Sequence, residues 1–151
     1  MDNIFITPEH ELLREQIARF IAREVEPFAA QWEEDGCVPR DVLRRMGEAG
    51  FFGLMYGAEH GGSEADALTN LVFAEALSQS TFGGFIITVL VHTDMASPHL
   101  FHAGNAAQKA RYLPDVIAGK PSPLLALPSR ARGLTLPACV QTPSAMASIG
   151  F

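Results

Sequence analysis

The chain has 151 residues, 48% apolar and 19% charged, with a formal net charge of −6. That length supports one compact domain with a sizeable core and falls short of the two or three domains that most cofactor enzymes use. An acidic chain with no basic run excludes nucleic acid and anionic membrane as natural partners.

Thr7-Pro8-Glu9 marks the first helix start: a hydroxyl cap, then Pro at the first helical position, where no backbone donor is missed. Leu13, Ile17, Phe20, Ile21 and Val25 then recur at helical spacing among Glu, Arg and Gln. Pro27 kinks that helix or closes it. After the turn Glu34-Asp35-Gly36, a second helix begins at Pro39, buries Val42, Leu43 and Met46, and stops at Gly50. Phe51 to Glu59 leads into a Gly61-Gly62 loop, and Asp66 caps a third helix. The apolar face of that helix is read as Leu68, Leu71, Val72 and Leu77, with Glu75 on the same side. Thr81 to Gly84 is a break. Periodicity alone leaves Phe85 to Val91 open between a strand and a buried helix; its neighbours are all helical, which favours helix. Asn105 caps a last amphipathic segment, Ala106 to Ala118, ended by Gly119.

The composition then changes. All 17 Asp and Glu residues lie at or before Asp115, whereas five of the ten prolines fall between Pro121 and Phe151. No helical or strand period persists there. The expected organisation is an all-α helical domain over residues 5–120 followed by a disordered Pro-rich tail over 121–151. Cys37 and Cys139 are far apart and have no histidine-spaced partner, which argues against a disulfide framework or a zinc site and fits a reducing compartment. Met1 to Thr7 lacks a signal-peptide layout, and Phe82 to Val91 is far short of a membrane span. The expected location is cytoplasmic, with no membrane or nucleic-acid partner.

Residues with chemical potential each have a plainer reading. Gly61-Gly62 would cradle a phosphate if its amides preceded a helix start, but lacks the fuller spacing of a phosphate loop, so an ordinary turn is favoured. Glu75 on an apolar face would suit a general base; a structural ion pair or a bond to a neighbouring helix end is favoured. His92-Thr93-Asp94 pairs a histidine with a carboxylate, yet adjacent helical residues point apart, so capping or core satisfaction is favoured over a proton relay. His99 and His102 have no second ligand pair nearby, and no metal is expected. No nucleophile motif is present. The residues by themselves describe a helical domain with no visible catalytic group.

The order of segments is nevertheless specific. Arg19-Phe20 and Val25-Glu26-Pro27 precede Trp32-Glu33, Val38-Pro39-Arg40 and Gly47-Glu48-Ala49-Gly50-Phe51-Phe52-Gly53-Leu54. Glu59-His60-Gly61-Gly62, Ala74-Glu75-Ala76-Leu77 and Val91-His92-Thr93-Asp94 follow. Last come Gly104-Asn105, Gln108-Lys109, Tyr112-Leu113-Pro114 and Gly119-Lys120. Collinear over residues 5–120, these closely resemble the N-terminal helical domain of acyl-CoA dehydrogenases, and His92-Thr93-Asp94 is most similar to long-chain-type bacterial members. Gly57 departs from the family, which usually has proline there.

The resemblance implies FAD, an acyl-CoA thioester substrate, α,β-dehydrogenation and electron delivery to an electron-transfer flavoprotein. It places the N-terminal domain along one wall of the acyl pocket, near Phe85, Thr88, Val89 and His92. It transfers no catalytic base and no flavin-binding residue to this chain. Flavin-dependent monooxygenases of the same fold and a non-catalytic helical interaction module are the alternative readings.

After Lys120 the family continues into a flavin loop, Thr-Glu-Pro-Gly-Ala-Gly-Ser-Asp, where this chain has Pro128-Ser129-Arg130-Ala131-Arg132-Gly133-Leu134-Thr135. Back-translating Leu127 to Ile149 with GC-rich codons and shifting the frame by one base can restore that loop. The shifted frame continues with Leu-Ala-Gly-Val-Arg-Thr and Asp-Ala-Val-Arg-Asp-Gly-Glu-His-Trp-Val, as the family would. A frameshift near residue 120 is therefore expected, and an out-of-frame tail was never selected to fold. The chain alone is expected to be inactive, to retain no FAD, and to self-associate through the face a complete enzyme would cover.

Overall fold

The computed structural model describes residues 5–120. Readings that concern residues 121–151, including the disordered tail, lie outside the described residues. Those described form an all-α domain, with no strand among them.

Helix α1 (Pro8–Glu24) starts under Thr7 as the sequence predicts. The usual returning Glu of such a cap is replaced by His10: the Thr7 amide donates to His10 Nδ1 at 3.1 Å, and the His10 amide to Thr7 Oγ1 at 3.4 Å. Ile17, Ile21 and Val25 point inward. Pro27 lies in a 3-10 turn, Glu26–Phe28, and closes the helix rather than kinking it. Helix α2 (Ala29–Asp35) was not foreseen, because Glu33-Glu34-Asp35 masks a single apolar side made by Ala29 and Trp32. Gly36 ends it at φ 64°, a left-handed conformation that favours glycine.

Helix α3 (Arg40–Glu48) begins one residue after Pro39 and buries Val42 and Met46, with Leu43 half-buried. Phe51 and Phe52 then enter the core on a 3-10 turn, Phe51–Gly53. Asp66 caps helix α4 (Ala67–Leu77) by accepting from the Thr69 amide at 2.8 Å and its hydroxyl at 2.7 Å. The expected face of α4 needs correction. Val72, Phe73, Ala76 and Leu77 are buried, whereas Leu71 is 63% exposed and Glu75 is also on the outside. With apolar residues on most sides, spacing could not single out the buried one.

Phe85 to Val91 is helical, as favoured, but the helix is longer than expected. Helix α5 (Gly83–Leu90) runs through a π-helical turn, Val91–Ala96, into α6 (Ser97–Ala103). Asn105 and Gln108 cap α7 (Ala106–Ile117) reciprocally, at 2.9 Å in each direction. Gly119 follows at φ 65°, where an added Cβ would collide with the Leu43 carbonyl, so α7 ends directly against α3. The reading that the two cysteines form no disulfide framework depends on Cys139, which lies outside the described residues.

One core joins α1 to α5 around Ile17, Val42, Phe73, Leu77, Phe85 and Val89. A second cluster, Tyr56, Leu100, Leu113 and Ile117, ties α6 and α7 to the turn after α3. Glu26 fastens the α4–α5 connection to the end of α1. Its carboxylate accepts from Ser80 Oγ at 2.8 Å, the Thr81 amide at 3.0 Å and Thr81 Oγ1 at 2.6 Å.

The Thr81 hydroxyl, above all, holds the Glu26 carboxyl below the usual glutamate range; desolvation opposes this, and Ser80 and the Thr81 amide assist. The stabilisation is therefore complete above the ordinary glutamate pKa and is lost as pH falls through the lower folded value. Glu26→Ala should cost about 1–2 kcal/mol at neutral pH, measured by urea unfolding, and less in acid.

Candidate functional site

The continuous helix 83–103 carries the residues that the sequence singled out for a site. Phe85 and Val89, four apart, share the inward face of α5 and are completely buried. Thr88 is half-buried, and its hydroxyl donates to the Gly84 carbonyl at 2.7 Å. Ile87, beside it, is 62% exposed, and Gly83 and Gly84 are exposed. The outer face of α5 is thus smooth at its start and apolar further on, backed by an incompressible core. Of the four wall residues read from the sequence, only Thr88 reaches this outer face.

His92 is buried one turn further on, inside the π-helical turn. Its Nε2 donates to the Val116 carbonyl in the last turn of α7 at 2.8 Å, and its ring lies 4.7 Å from Phe52, centroid to centroid. A buried carbonyl as acceptor requires the ring N–H on that nitrogen, which selects the Nε2–H tautomer of the neutral imidazole. Burial pushes its pKa down, partly opposed by the bond to Val116. Asp94 faces the other way. It is exposed and accepts from Asn70 Nδ2 at 2.8 Å and from Thr93 Oγ1 at 2.6 Å. Histidine and carboxylate do not meet, and the favoured reading of core satisfaction is what the geometry contains.

Glu75 is paired with Arg14 across α1 and α4 at 2.8 Å on the exposed side, so it is an inter-helix ion pair rather than a base in an apolar pocket. His99 and His102 are exposed on α6 and belong to no group of three or more potential metal ligands among the described residues. The Gly61-Gly62 amides are consumed internally: Gly61 N–H donates to the Ala58 carbonyl at 3.0 Å and Gly62 N–H to the Gly57 carbonyl at 3.1 Å. No phosphate cradle remains there. Every buried side-chain polar atom among the described residues has a partner. The described residues therefore present no set that fits a flavin, and no chemical step through one is assigned to them.

One cluster was missed in the sequence. His10 Nε2 lies 3.2 Å from Thr69 Oγ1, whose hydroxyl donates to Asp66 Oδ1, so the first turns of α1 and α4 are tied side chain to side chain. The signal was Thr-x-x-His in place of the usual Thr-x-x-Glu. Beside it, an open groove of about 870 Å³ runs between α1 and α4 past Leu12, Leu68 and Leu71. Neither contains a nucleophile or an unpartnered polar group. No helix among the described residues is long and apolar enough to cross a membrane.

Comparison with known proteins gives a consistent result. Residues 7–120 match the family profile described as acyl-CoA dehydrogenase, N-terminal domain. The chain is 33% identical over 114 residues to the mitochondrial long-chain specific acyl-CoA dehydrogenase of Mus musculus, covering 74% of this chain and 26% of that protein. It is 30% identical over 115 residues to the short-chain specific acyl-CoA dehydrogenase of Clostridium acetobutylicum, covering 76% of this chain and 30% of that one. Among solved structures, an acyl-CoA dehydrogenase from Geobacillus kaustophilus superposes with a TM-score of 0.71 at 28% identity, covering 77% of this chain and 30% of the other. The chain thus spans less than a third of the length of these two curated relatives.

His92 gives the domain a measurable pH dependence. The unfolded chain takes up a proton at the ordinary histidine pKa that the folded ring resists, so this contribution is complete above that value and is lost as pH falls below it. Urea midpoints should drop between pH 7 and 5, and His92→Gln should flatten that slope. His92→Ala should cost about 2–3 kcal/mol at neutral pH by orphaning the Val116 carbonyl and opening space beside Phe52.

Proposed function

Because the chain belongs to the acyl-CoA dehydrogenase family through its N-terminal domain, we propose that it is the N-terminal helical part of a flavin-dependent enzyme for α,β-dehydrogenation of acyl-CoA thioesters. The observation that carries this is the collinear family match over residues 7–120. In the complete enzyme FAD would serve as oxidant and an electron-transfer flavoprotein as acceptor. The role of this domain is steric. The outer face of α5 forms one side of the acyl pocket: Thr88 touches the chain, while Phe85, Val89 and His92 stand behind it and keep the helix from yielding. No proton or hydride transfer is assigned to a described residue.

We infer further that the chain by itself is inactive and retains no FAD: among the described residues the Gly61 and Gly62 amides are used internally and every buried side-chain polar atom has a partner. The cause is a shift of frame near residue 120, supported by the family-like loop that an alternative frame of residues 127–149 can encode with GC-rich codons. Leu71, Ile87 and Met95, each more than 60% exposed, belong to surface that the rest of such an enzyme would cover, and they drive self-association.

Three measurements test this reading. Sequencing the DNA across codon 120 should reveal a dehydrogenase frame continuing downstream; its absence would overturn the frameshift. Purified protein mixed with FAD should show no bound-flavin absorbance after gel filtration and no acyl-CoA-dependent dye reduction. A yellow, stoichiometric complex would contradict the lost flavin site. Sedimentation should depend on concentration, whereas a monodisperse monomer with a cooperative thermal transition would refute self-association.

A further inference from the structure

We infer that Tyr56 and Ser97 are a positioning pair that holds helix 83–103 in its π-helical register, and thereby decide which side chains of segment 91–96 face inward and which face out. The π turn is visible in the backbone: the Ser97 amide donates to the carbonyl of His92, five residues back, where an α-helix would use Thr93. Such a turn inserts one extra residue and needs something to hold it, since the α-helical alternative is available to the same chain.

A chain of two hydroxyls supplies the hold. Ser97 Oγ donates to the same His92 carbonyl at 2.5 Å, and Tyr56 Oη donates to Ser97 Oγ at 2.5 Å. Ser97 has one hydroxyl proton; spending it on His92 leaves its oxygen free to accept from Tyr56, so the directions agree. The Thr93 carbonyl, the acceptor that the α register would favour, is 3.3 Å away. Ser97 and Tyr56 are almost completely buried, so water does not compete. Tyr56 comes from the turn after α3, outside the helix it acts on, and its ring is anchored edge-on to Phe101 at 5.2 Å.

The register has consequences on both sides of the helix. With the extra residue in place, His92 reaches the Val116 carbonyl and Asp94 reaches Asn70 on α4. Removing that residue would rotate segment 91–96 by about 100° relative to one flank, and both contacts would be lost. The inference deepens the proposed acyl-wall role of α5, and its bearing on substrate rests on that reading. Its test does not, because it reads the backbone and the His92 ring with no acyl-CoA present.

Amide hydrogen exchange and imidazole NMR on the full chain provide the test. Tyr56→Phe removes one hydroxyl, and Tyr56→Phe with Ser97→Ala removes both, leaving neither orphaned. In the double variant, amides 92–97 should exchange about tenfold faster or more while those of α1 and α3 stay near wild type, and the His92 ring should titrate closer to an ordinary histidine. Tyr56→Phe alone should give a smaller local rise, about threefold. Wild-type exchange and ring shifts in the double variant would overturn the inference, as would an equal rise in every helix. Should the double variant fail to fold, Tyr56→Phe decides on the same readouts, and an unchanged segment 92–97 refutes the pair.

Discussion

The burial of Phe85 and Val89 is the contact on which the rest of the domain depends. Helix α5 has almost no polar residue to keep it at a surface, and its two completely buried side chains close a core already containing Ile17, Val42, Phe73 and Leu77. Once α5 is seated, the break before it must turn sharply, which is where the carboxylate of Glu26 gathers Ser80 and Thr81. The helix after it must reach α7, which is where His92 bonds the Val116 carbonyl. Area buried drives the assembly without direction, and these few polar contacts give it direction.

Several polar contacts secure helix ends and helix crossings. Thr7 with His10, Asp66 with Thr69 and Asn105 with Gln108 satisfy first-turn amides that have no partner within their own helices. Glu75 and Arg14 bridge α1 and α4 from the solvent side, and His10 bridges the same helices from within.

Much of this was legible along the chain. The starts of α1, α4 and α7 depend on a cap and its neighbours within four residues, so local sequence was sufficient. Glu75 and His92 were also readable as structural, because a lone carboxylate or imidazole without a partner at helical spacing has nothing to act with. Other features were not legible, for definite reasons. Helix α2 hides its apolar side beneath an acidic run. The face of α4 is ambiguous because apolar residues surround most of it. The π turn leaves no mark in spacing, since it is held by Tyr56, 41 residues away from Ser97. Phe85, Thr88, Val89 and His92 were grouped together along the sequence, but only the packed structure separates Thr88 on the outer face from the three buried residues.

The amino-acid sequence alone determined the helical class, the helix caps, the change of character near residue 120 and the family resemblance, because each rests on neighbouring residues or on their order. Only the tertiary structure decided which side of each apolar helix is inside, that the Gly61-Gly62 amides are already used, and that His92 and Asp94 point apart. Those outcomes depend on contacts between segments distant in the chain. For an apolar helix several burial choices satisfy the same pattern, and the neighbours across the core select one of them.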